Sequence, residues 1–547
     1  MSVLRYAACC AALLASSLPV NAQVQLPAAP QVTIGAELKY VRFDWSPVAG
    51  AAWYQLEMKV GSAAFSPVGG QLPASVTKTR RYVAVHREDW ANTRYRLTAC
   101  NASGCTPSSQ LNPAPLMLDT IGYFKASNTE AGDLFGRDVV ISDDGLTLAV
   151  AAQEEASNAT GVNGNQADNS SSFSGAVYIF RGNGSVWRQE AYLKPPVNLG
   201  GDSFGTGTPK LNYRAIALSR NGSLAVIGAP AQHGGNVDRS GAVHVFERGS
   251  TGWRHTGSIL PPEPQGFDYF GLSVDLSLDG KTLKITSMQP QDPDTSQGVN
   301  TQGRTHIYQR VGSTWQRETT IAPFYAGDFC PMVRMSTDGG TLVASCYSLL
   351  DTYRAVTYKR IGGAWVRVAD LALGRYNMDR AVALNHDGTA MALGVIANSA
   401  GAVGVYRWGG AGWVSDGVIT QPAVLGSDGA FGWTLAFDRP GNQLAIGAYS
   451  SRAAGAGVSS TVTMGNTDDG AVFLYRRSTA ATSPWRFRSL VKAPNPGNAD
   501  TFGLGISLSG SGKTLAVGAL REDSKARGVH GNQADNSATD AGAAYLY

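Results

Sequence analysis

The sequence predicts an all-β chain, a β-sandwich module followed by a seven-bladed β-propeller. Three observations carry this. A pattern recurs from about residue 120 onward; Phe135 and Phe502, which open its first and last copies, are six repeats and 367 residues apart, a period of about 61. Each copy reads as four short strands, and a lone four-stranded sheet cannot bury both faces, whereas sheets packed face to face around an axis can. The composition agrees: 65 Gly, 21 Tyr and 11 Trp in 547 residues, with charged residues at only 16%, suit short strands and tight turns. Forty-five Lys+Arg against 41 Asp+Glu leave +4. No basic stretch is dense enough to follow a phosphate backbone, so no nucleic-acid partner is expected.

Residues 1–22 carry Arg5, an apolar run from Tyr6 to Leu18 and the small-x-small triplet Val20-Asn21-Ala22, the pattern of a secretory signal peptide cut before Gln23. No later segment approaches the roughly 18 apolar residues of a spanning helix, so no transmembrane segment is expected in the mature chain. Cys9 and Cys10 leave with the leader. The remaining cysteines form two close pairs, and an even count in a secreted chain predicts disulfides Cys100–Cys105 and Cys330–Cys346. The second pair nearly faces itself across a hairpin turn at Asp338-Gly339. Neither pair has the Cys-x-x-Cys spacing of a zinc site.

Residues 30–112 alternate as strands at 41–45, 53–57 and 95–100. Trp45, Tyr54 and Tyr95 sit where a fibronectin type III sandwich holds its core aromatics, and the stretch resembles that family. A Pro-containing connector at 112–115 leads into the repeats of 118–547.

Five repeats open on an aromatic-Gly step, at Phe135-Gly136, Phe204-Gly205, Phe270-Gly271, Phe431-Gly432 and Phe502-Gly503, and two on degenerate versions at Phe329-Cys330 and Met378-Asp379. A turn glycine and an apolar second strand follow. The third strand ends in an aromatic: Phe180, Phe246, Tyr308, Tyr358, Tyr406, Tyr475, Tyr547. The fourth carries a Trp with an aliphatic six residues on, as in Trp187 and Leu193; six is even, which puts both side chains on one face. Tyr547 ends the third strand of the last repeat, and residues 118–126 are expected to supply its fourth, with Leu118 in the Trp place and Phe124 in the aliphatic place. A ring closed this way leaves no open sheet edge.

The Phe-Gly steps, together with Ile227-Gly228-Ala229-Pro230 and Ile446-Gly447-Ala448, resemble the FG-GAP repeat of integrin-α-type propellers. The Gly-Asn-Gln-Ala-Asp-Asn loops at 164–169 and 531–536 resemble its bacterial secreted branch. The resemblance implies a seven-bladed propeller used for adhesion or ligand binding, often with calcium. The family's calcium loop is absent, its place taken by short turns such as Ser142-Asp143-Asp144-Gly145. Calcium, if bound, is therefore expected at Asp168, Asn169, Asp535 and Asn536, which offer hard oxygen ligands; the alternative is turn formation without metal. The same two readings apply to the aspartates preceding the Phe-Gly steps (Asp133, Asp202, Asp268, Asp328, Asp428, Asp500).

The second-to-third loops are long in units one (153–174), six (449–469) and seven (520–541) and short in unit five (397–400). These three units are neighbours in a closed ring, so the loops are expected to form one ligand patch carrying Glu154, Glu155, Asp468, Asp469, Glu522 and Asp523. No His-Glu-x-x-His or phosphate-cradling Gly-x-x-x-x-Gly-Lys-Ser/Thr motif occurs. The function expected is a secreted, non-enzymatic binding or adhesion protein for an extracellular protein or glycan. The competing reading is a propeller-fold hydrolase or lyase acting on polysaccharide, with catalytic groups drawn from several blades. Three or more Asp, Glu, Arg or Tyr side chains converging at the channel mouth would favour the latter.

Overall fold

A computed structural model describes residues 25–207, 213–233, 237–288, 303–321, 329–347, 353–374, 381–397, 400–426, 430–478 and 484–547. The predicted leader lies outside them. The chain forms two compact units, one of residues up to Ile34, Phe43–Thr79 and Asn92–Asn112, the other of Gly35–Arg42, Arg80–Ala91 and Pro113–Tyr547. Regular structure among the described residues is almost wholly strand, and no helix is long and apolar enough to cross a membrane.

In the first unit, Trp53–Val60 pairs with Thr93–Asn101, which turns into Gly104–Pro107. Phe43, Trp45, Tyr54 and Tyr95 are buried, and the rings meet edge-on, Phe43 on Tyr95 at 5.0 Å and Trp45 on Tyr54 at 5.3 Å. Cys100 and Cys105 are cross-strand partners joined by a disulfide.

The second unit is a succession of antiparallel meanders. The first sheet runs Phe135–Ile141, Thr147–Ala152, Ala176–Gly182, Trp187–Leu193 in spatial order. Sheets opening at Ile216, Ser273, Phe329, Val382 and Thr434 repeat the order, and the last, opening at Ile506, takes its fourth strand from Gly122–Phe124. Opening strands of successive sheets touch, and Ile506–Leu508 touches both Thr434–Phe437 and Phe135–Ile141, closing the cycle. The Cys330–Cys346 disulfide links the first two strands of the sheet that opens at Phe329.

Two expectations are corrected. The strand pairing with Ala543–Leu546 is shorter than 118–126: Leu118–Thr120 is a 3-10 turn with Leu118 exposed, so Leu118 does not take the Trp place. Phe124 does reach the core, against Phe180 and Trp187. Nor do Trp and aliphatic share a face. Each of the six Trp-bearing fourth strands carries an extra residue, as where Ile179 and Phe180 pair with Ala191 and Gln189 and skip Glu190. Such a bulge inverts the alternation. Trp187 therefore packs with Phe124 and Phe180, while Leu193 packs with Phe204 and Ile216 of the next sheet. A single fourth strand thus serves two inter-sheet cores.

The Phe-Gly and Gly-Ala motifs meet across these interfaces. A Cβ on Gly228 would lie 2.0 Å from the Gly271 carbonyl oxygen, and one on Gly518 would lie 2.0 Å from that of Gly136. Glycine at both positions lets two backbones touch where neighbouring sheets converge.

The short first-to-second turns share one device. Ser142, Ser219, Ser277, Ser336 and Ser509 each accept with Oγ, and Asn385 and Asp438 each accept with Oδ1, the backbone N–H five residues on. The turns are also linked to one another by backbone bonds. Asp144 N donates to Arg220 O, Arg220 N to Leu278 O and Leu278 N to Thr337 O; then Asp338 N donates to His386 O, His386 N to Arg439 O, Arg439 N to Gly510 O and Gly510 N to Asp143 O. Every turn therefore holds the next. Ser277→Ala removes an oxygen that accepts from Thr282 N at 2.8 Å and Lys281 N at 3.2 Å. It should cost about 1–2 kcal/mol in urea unfolding, because a buried donor is orphaned; a loss under about 0.3 kcal/mol would show that the turn holds without it.

Candidate functional site

The three long loops are built onto their own sheets. Loop 153–174 returns along the fourth strand of the first sheet, where Asn163 N donates to Tyr192 O and Lys194 N to Gly161 O. Loop 520–541 does the same on Gly122–Phe124, with Lys125 N donating to Gly528 O and His530 N to Tyr123 O, and loop 449–469 adds Val458–Ser459 beside Leu490–Val491. Each loop thereby covers an outer sheet edge that would otherwise be open.

Beneath two of the loops lies the same buried cluster. Glu155 accepts from Lys194 Nζ at 2.9 Å, Tyr192 OH at 2.8 Å and Asn128 Nδ2 at 3.1 Å. Glu522 accepts from Lys125 Nζ at 2.8 Å, Tyr123 OH at 2.9 Å and Asn495 Nδ2 at 3.0 Å. Beneath loop 449–469, Lys492 pairs with Asp469 at 2.5 Å. Burial lowers the lysine pKa values at Lys125 and Lys194, opposed by the facing glutamates, and burial raises the hydroxyls of Tyr123 and Tyr192.

The predicted ligand residues therefore divide. Glu155, Asp469 and Glu522 are buried and paired with the three lysines, so they hold the loops, and of the three Glu522 also lines a cavity. Asp468 pairs with Arg452 at 2.6 Å on the surface, and Asp523 Oδ1 accepts from Asp540 N at 2.9 Å. Glu154 is half-buried, with its carboxyl pushed up by desolvation and then by Asp540. One cavity of about 250 Å³ gathers Asp523 with Asp500, Gln533, Asn536 and an edge of Glu522.

At the predicted calcium residues the geometry is that of turns. Asp168 Oδ1 accepts from Ser170 N at 2.8 Å, Ser170 Oγ at 2.7 Å and Asn158 N at 3.2 Å, and Asp535 accepts from Ser537 N and Lys525 N. Asn169 donates to Glu130. Among the described residues no group of three or more His, Cys, Asp or Glu is placed to hold a metal ion. The aspartates before the Phe-Gly steps likewise accept a backbone N–H three residues back, as Asp133 from Glu130 and Asp500 from Gly497. Desolvation pushes Asp133 and Asp500 up to about 7 and Asp202 to about 6. Asp328 and Asp428 lie outside the described residues.

A second site sits on the ring axis, among the opening strands, and no motif announced it. Arg137, Asp138, Tyr213, Arg214 and Arg334 line a narrow space; Arg214 and Arg334 also line, with Asp275, an adjoining cavity of about 180 Å³. Asp275 pairs with Lys284 at 3.0 Å and Arg334 at 3.4 Å, and Arg214 stands 3.9 Å from Asp138. Desolvation depresses Arg137, Arg214 and Lys284, the last to about 8. The signal available in the sequence was a charge inside an apolar strand: Asp275 between Val274 and Leu276, Arg334 between Val333 and Met335.

No protein-family model and no curated protein matches the chain. Solved structures overlap it loosely. A hydrazine synthase of Kuenenia stuttgartiensis matches at TM-score 0.44 and 14% identity over 71% of this chain and 92% of that one. The β-propeller domain of Cps50 (Swd1) from Myceliophteria thermophila matches at 0.42 and 8% over 78% and 97%. A putative 6-phosphogluconolactonase from Bacteroides fragilis matches at 0.40 and 11% over 82% and 98%. Overlaps this loose transfer no activity.

Proposed function

We propose that the chain is a secreted, non-enzymatic binding protein. In this reading a fibronectin type III-like module precedes a seven-bladed propeller of FG-GAP type, closed by residues of 118–126, that takes a glycan at the end where the long loops emerge. The observation that supports it best is the buried cluster repeated under loops 153–174 and 520–541. Burying a lysine and a carboxylate is expensive in desolvation. Spending it to fix two exposed loops makes sense where their exposed groups must be held in place before a ligand arrives. The cavity walled by Asp500, Asp523, Gln533 and Asn536 offers acceptors and amide donors suited to sugar hydroxyls.

A glycan array probed with the purified chain tests this. The double variant Asp523→Ala/Asn536→Ala should lose at least about tenfold in affinity for the glycan captured, because two polar contacts disappear, while its thermal transition falls only by what the lost Asp540 N to Asp523 Oδ1 bond contributes. Undiminished capture by the variant, or no capture by the wild type, rejects the site. Shortening the three loops is the poorer experiment, since it would strand Lys125, Lys194 and Lys492 without their acids.

The axial cluster favours the second reading, action on a polysaccharide: Arg137, Asp138, Tyr213, Arg214 and Arg334 converge. Most of its charge, however, is occupied in mutual pairing, with Asp275 held by Lys284 and Arg334. Release of new sugar ends from a polysaccharide panel, abolished by Asp138→Asn, would establish it over binding.

A further inference from the structure

We infer that the cavity beside loop 520–541 takes the ammonium group of an amino sugar. This rests on the glycan reading above and names the kind of glycan; a difference between two copies of one loop leads to it.

Loops 153–174 and 520–541 carry the same Gly-Asn-Gln-Ala-Asp-Asn run and are held alike. Ser157 Oγ donates to Asn165 O and Ser524 Oγ to Asn532 O. Asn128 Nδ2 donates to Gln166 O and Asn495 Nδ2 to Gln533 O, while Tyr178 OH donates to Asn128 Oδ1 and Tyr545 OH to Asn495 Oδ1. The side-chain amides differ. In the first copy Ser127 Oγ donates to Gln166 Oε1, and Asn169 Nδ2 donates to Glu130. Counted from Lys125 and Lys492, the counterparts of Ser127 and Glu130 are Pro494 and Gly497. Neither can make those bonds, so the side chains of Gln533 and Asn536 keep no hydrogen-bond partner among the described residues. With Gly497 they line the cavity of about 250 Å³.

The walls carry charge of one sign. Asp500, Glu522 and Asp523 line the cavity, and among the described residues no lysine or arginine does. Lys125 answers Glu522 at 2.8 Å, which leaves Asp500 and Asp523. Asp523 stands where the first copy has Ala156. Asp500 is only 4% exposed; its Oδ2 accepts from Gly497 N at 2.7 Å and its Oδ1 has no partner. Desolvation, and then the charges of Glu522, Asp523 and Asp469, push this carboxyl up to about 7. A buried carboxylate crowded by other acids is costly until a cation reaches it.

An ammonium offers three N–H donors and no acceptor, which matches the two carboxylates, while the amides of Gln533 and Asn536 can serve hydroxyls of the same ring. At about 250 Å³ the cavity is below the roughly 300 Å³ at which sites for larger ligands begin, a space suited to one sugar unit.

Titration calorimetry of the full chain, in buffer with a chelator, tests the inference with three β-1,4-linked trisaccharides alike except at C2: those of glucosamine, N-acetylglucosamine and glucose. The glucosamine form should bind at least about tenfold more tightly than either other, the worth of a charge-assisted hydrogen bond. Equal affinities, or tighter binding of an uncharged form, overturn the ammonium and leave the glycan reading standing. No binding by any of the three also overturns it, and the glycan array then decides the broader reading alone. Trilysine bound as tightly as the glucosamine form would show that the cavity reads charge without sugar, which overturns it as well. Asp523→Asn keeps an acceptor for Asp540 N and should bring the glucosamine form to within about threefold of the glucose form; a preserved preference would place the ammonium elsewhere and overturn the assignment. Should that variant not fold, Asp500→Asn takes its place with the same expectation and the same refuting result.

Discussion

Gly228→Ala is expected to prevent folding, or to cost more than about 4 kcal/mol, the range reserved for single changes that break a packing interface outright. The added methyl would stand 2.0 Å from the backbone oxygen of Gly271, which no side-chain rotation can relieve. Relief requires the sheet opening at Ile216 to move from the sheet that follows it, and the shared core of Val226, Val243, Phe270 and Val274 would open with it. Gly257→Ala is the control. A Cβ there meets nothing within 4 Å, so the same chemical change should leave the urea midpoint nearly unmoved. Soluble yield and unfolding of the two variants decide the matter; a Gly228→Ala chain as stable as the control would mean that the sheets do not meet backbone to backbone at this point.

Glu155→Ala should be the next most damaging substitution, at about 3–5 kcal/mol, because it leaves a buried ammonium with no counter-charge. Lys194 would keep only Ser174 Oγ and the Gly175 carbonyl, while Tyr192 OH and Asn128 Nδ2 would each lose an acceptor. Loop 153–174 should become the first point of cleavage under limited proteolysis. Replacing both members, Glu155→Leu with Lys194→Met, should recover more than half the loss, since no orphaned charge remains. A double variant no better than the single would show that the cluster works through shape and not through charge.

Much of the ring was legible because it repeats. The Phe-Gly steps, the turn residues from Ser142 to Ser509 and the third-strand aromatics recur in the same order although the copies differ in length, because backbone contacts of one kind admit few residue types at each such position. The face of each fourth strand was not legible. Its bulge follows Gln189, His255 or Ser415 in different copies, with no shared residue to mark it, so a parity argument fails silently. The loop acids misled for another reason. Glu154-Glu155 and Asp468-Asp469 look like solvated doublets, yet one member of each is buried; the distinction depends on Lys194 and Lys492, distant in sequence. For Glu522 the partner, Lys125, precedes it by 397 residues, and only the pairing of Gly122–Phe124 with Ala543–Leu546 brings them together. The axial charges were visible one at a time and acquire meaning only when strands from several sheets converge.

The backbone bonds that pass from one first-to-second turn to the next have a consequence for how the molecule comes apart. An open stack of repeats frays from its termini, where the outermost member has one neighbour and the least to lose. A cycle of donors and acceptors has no outermost member: releasing the turn at Leu278 breaks its bonds to both Arg220 and Thr337, and the same holds at His386 and Arg439. Partial opening is thus penalised at every position alike, and loss of this end is all-or-none. The chain then presents proteases with few intermediate states.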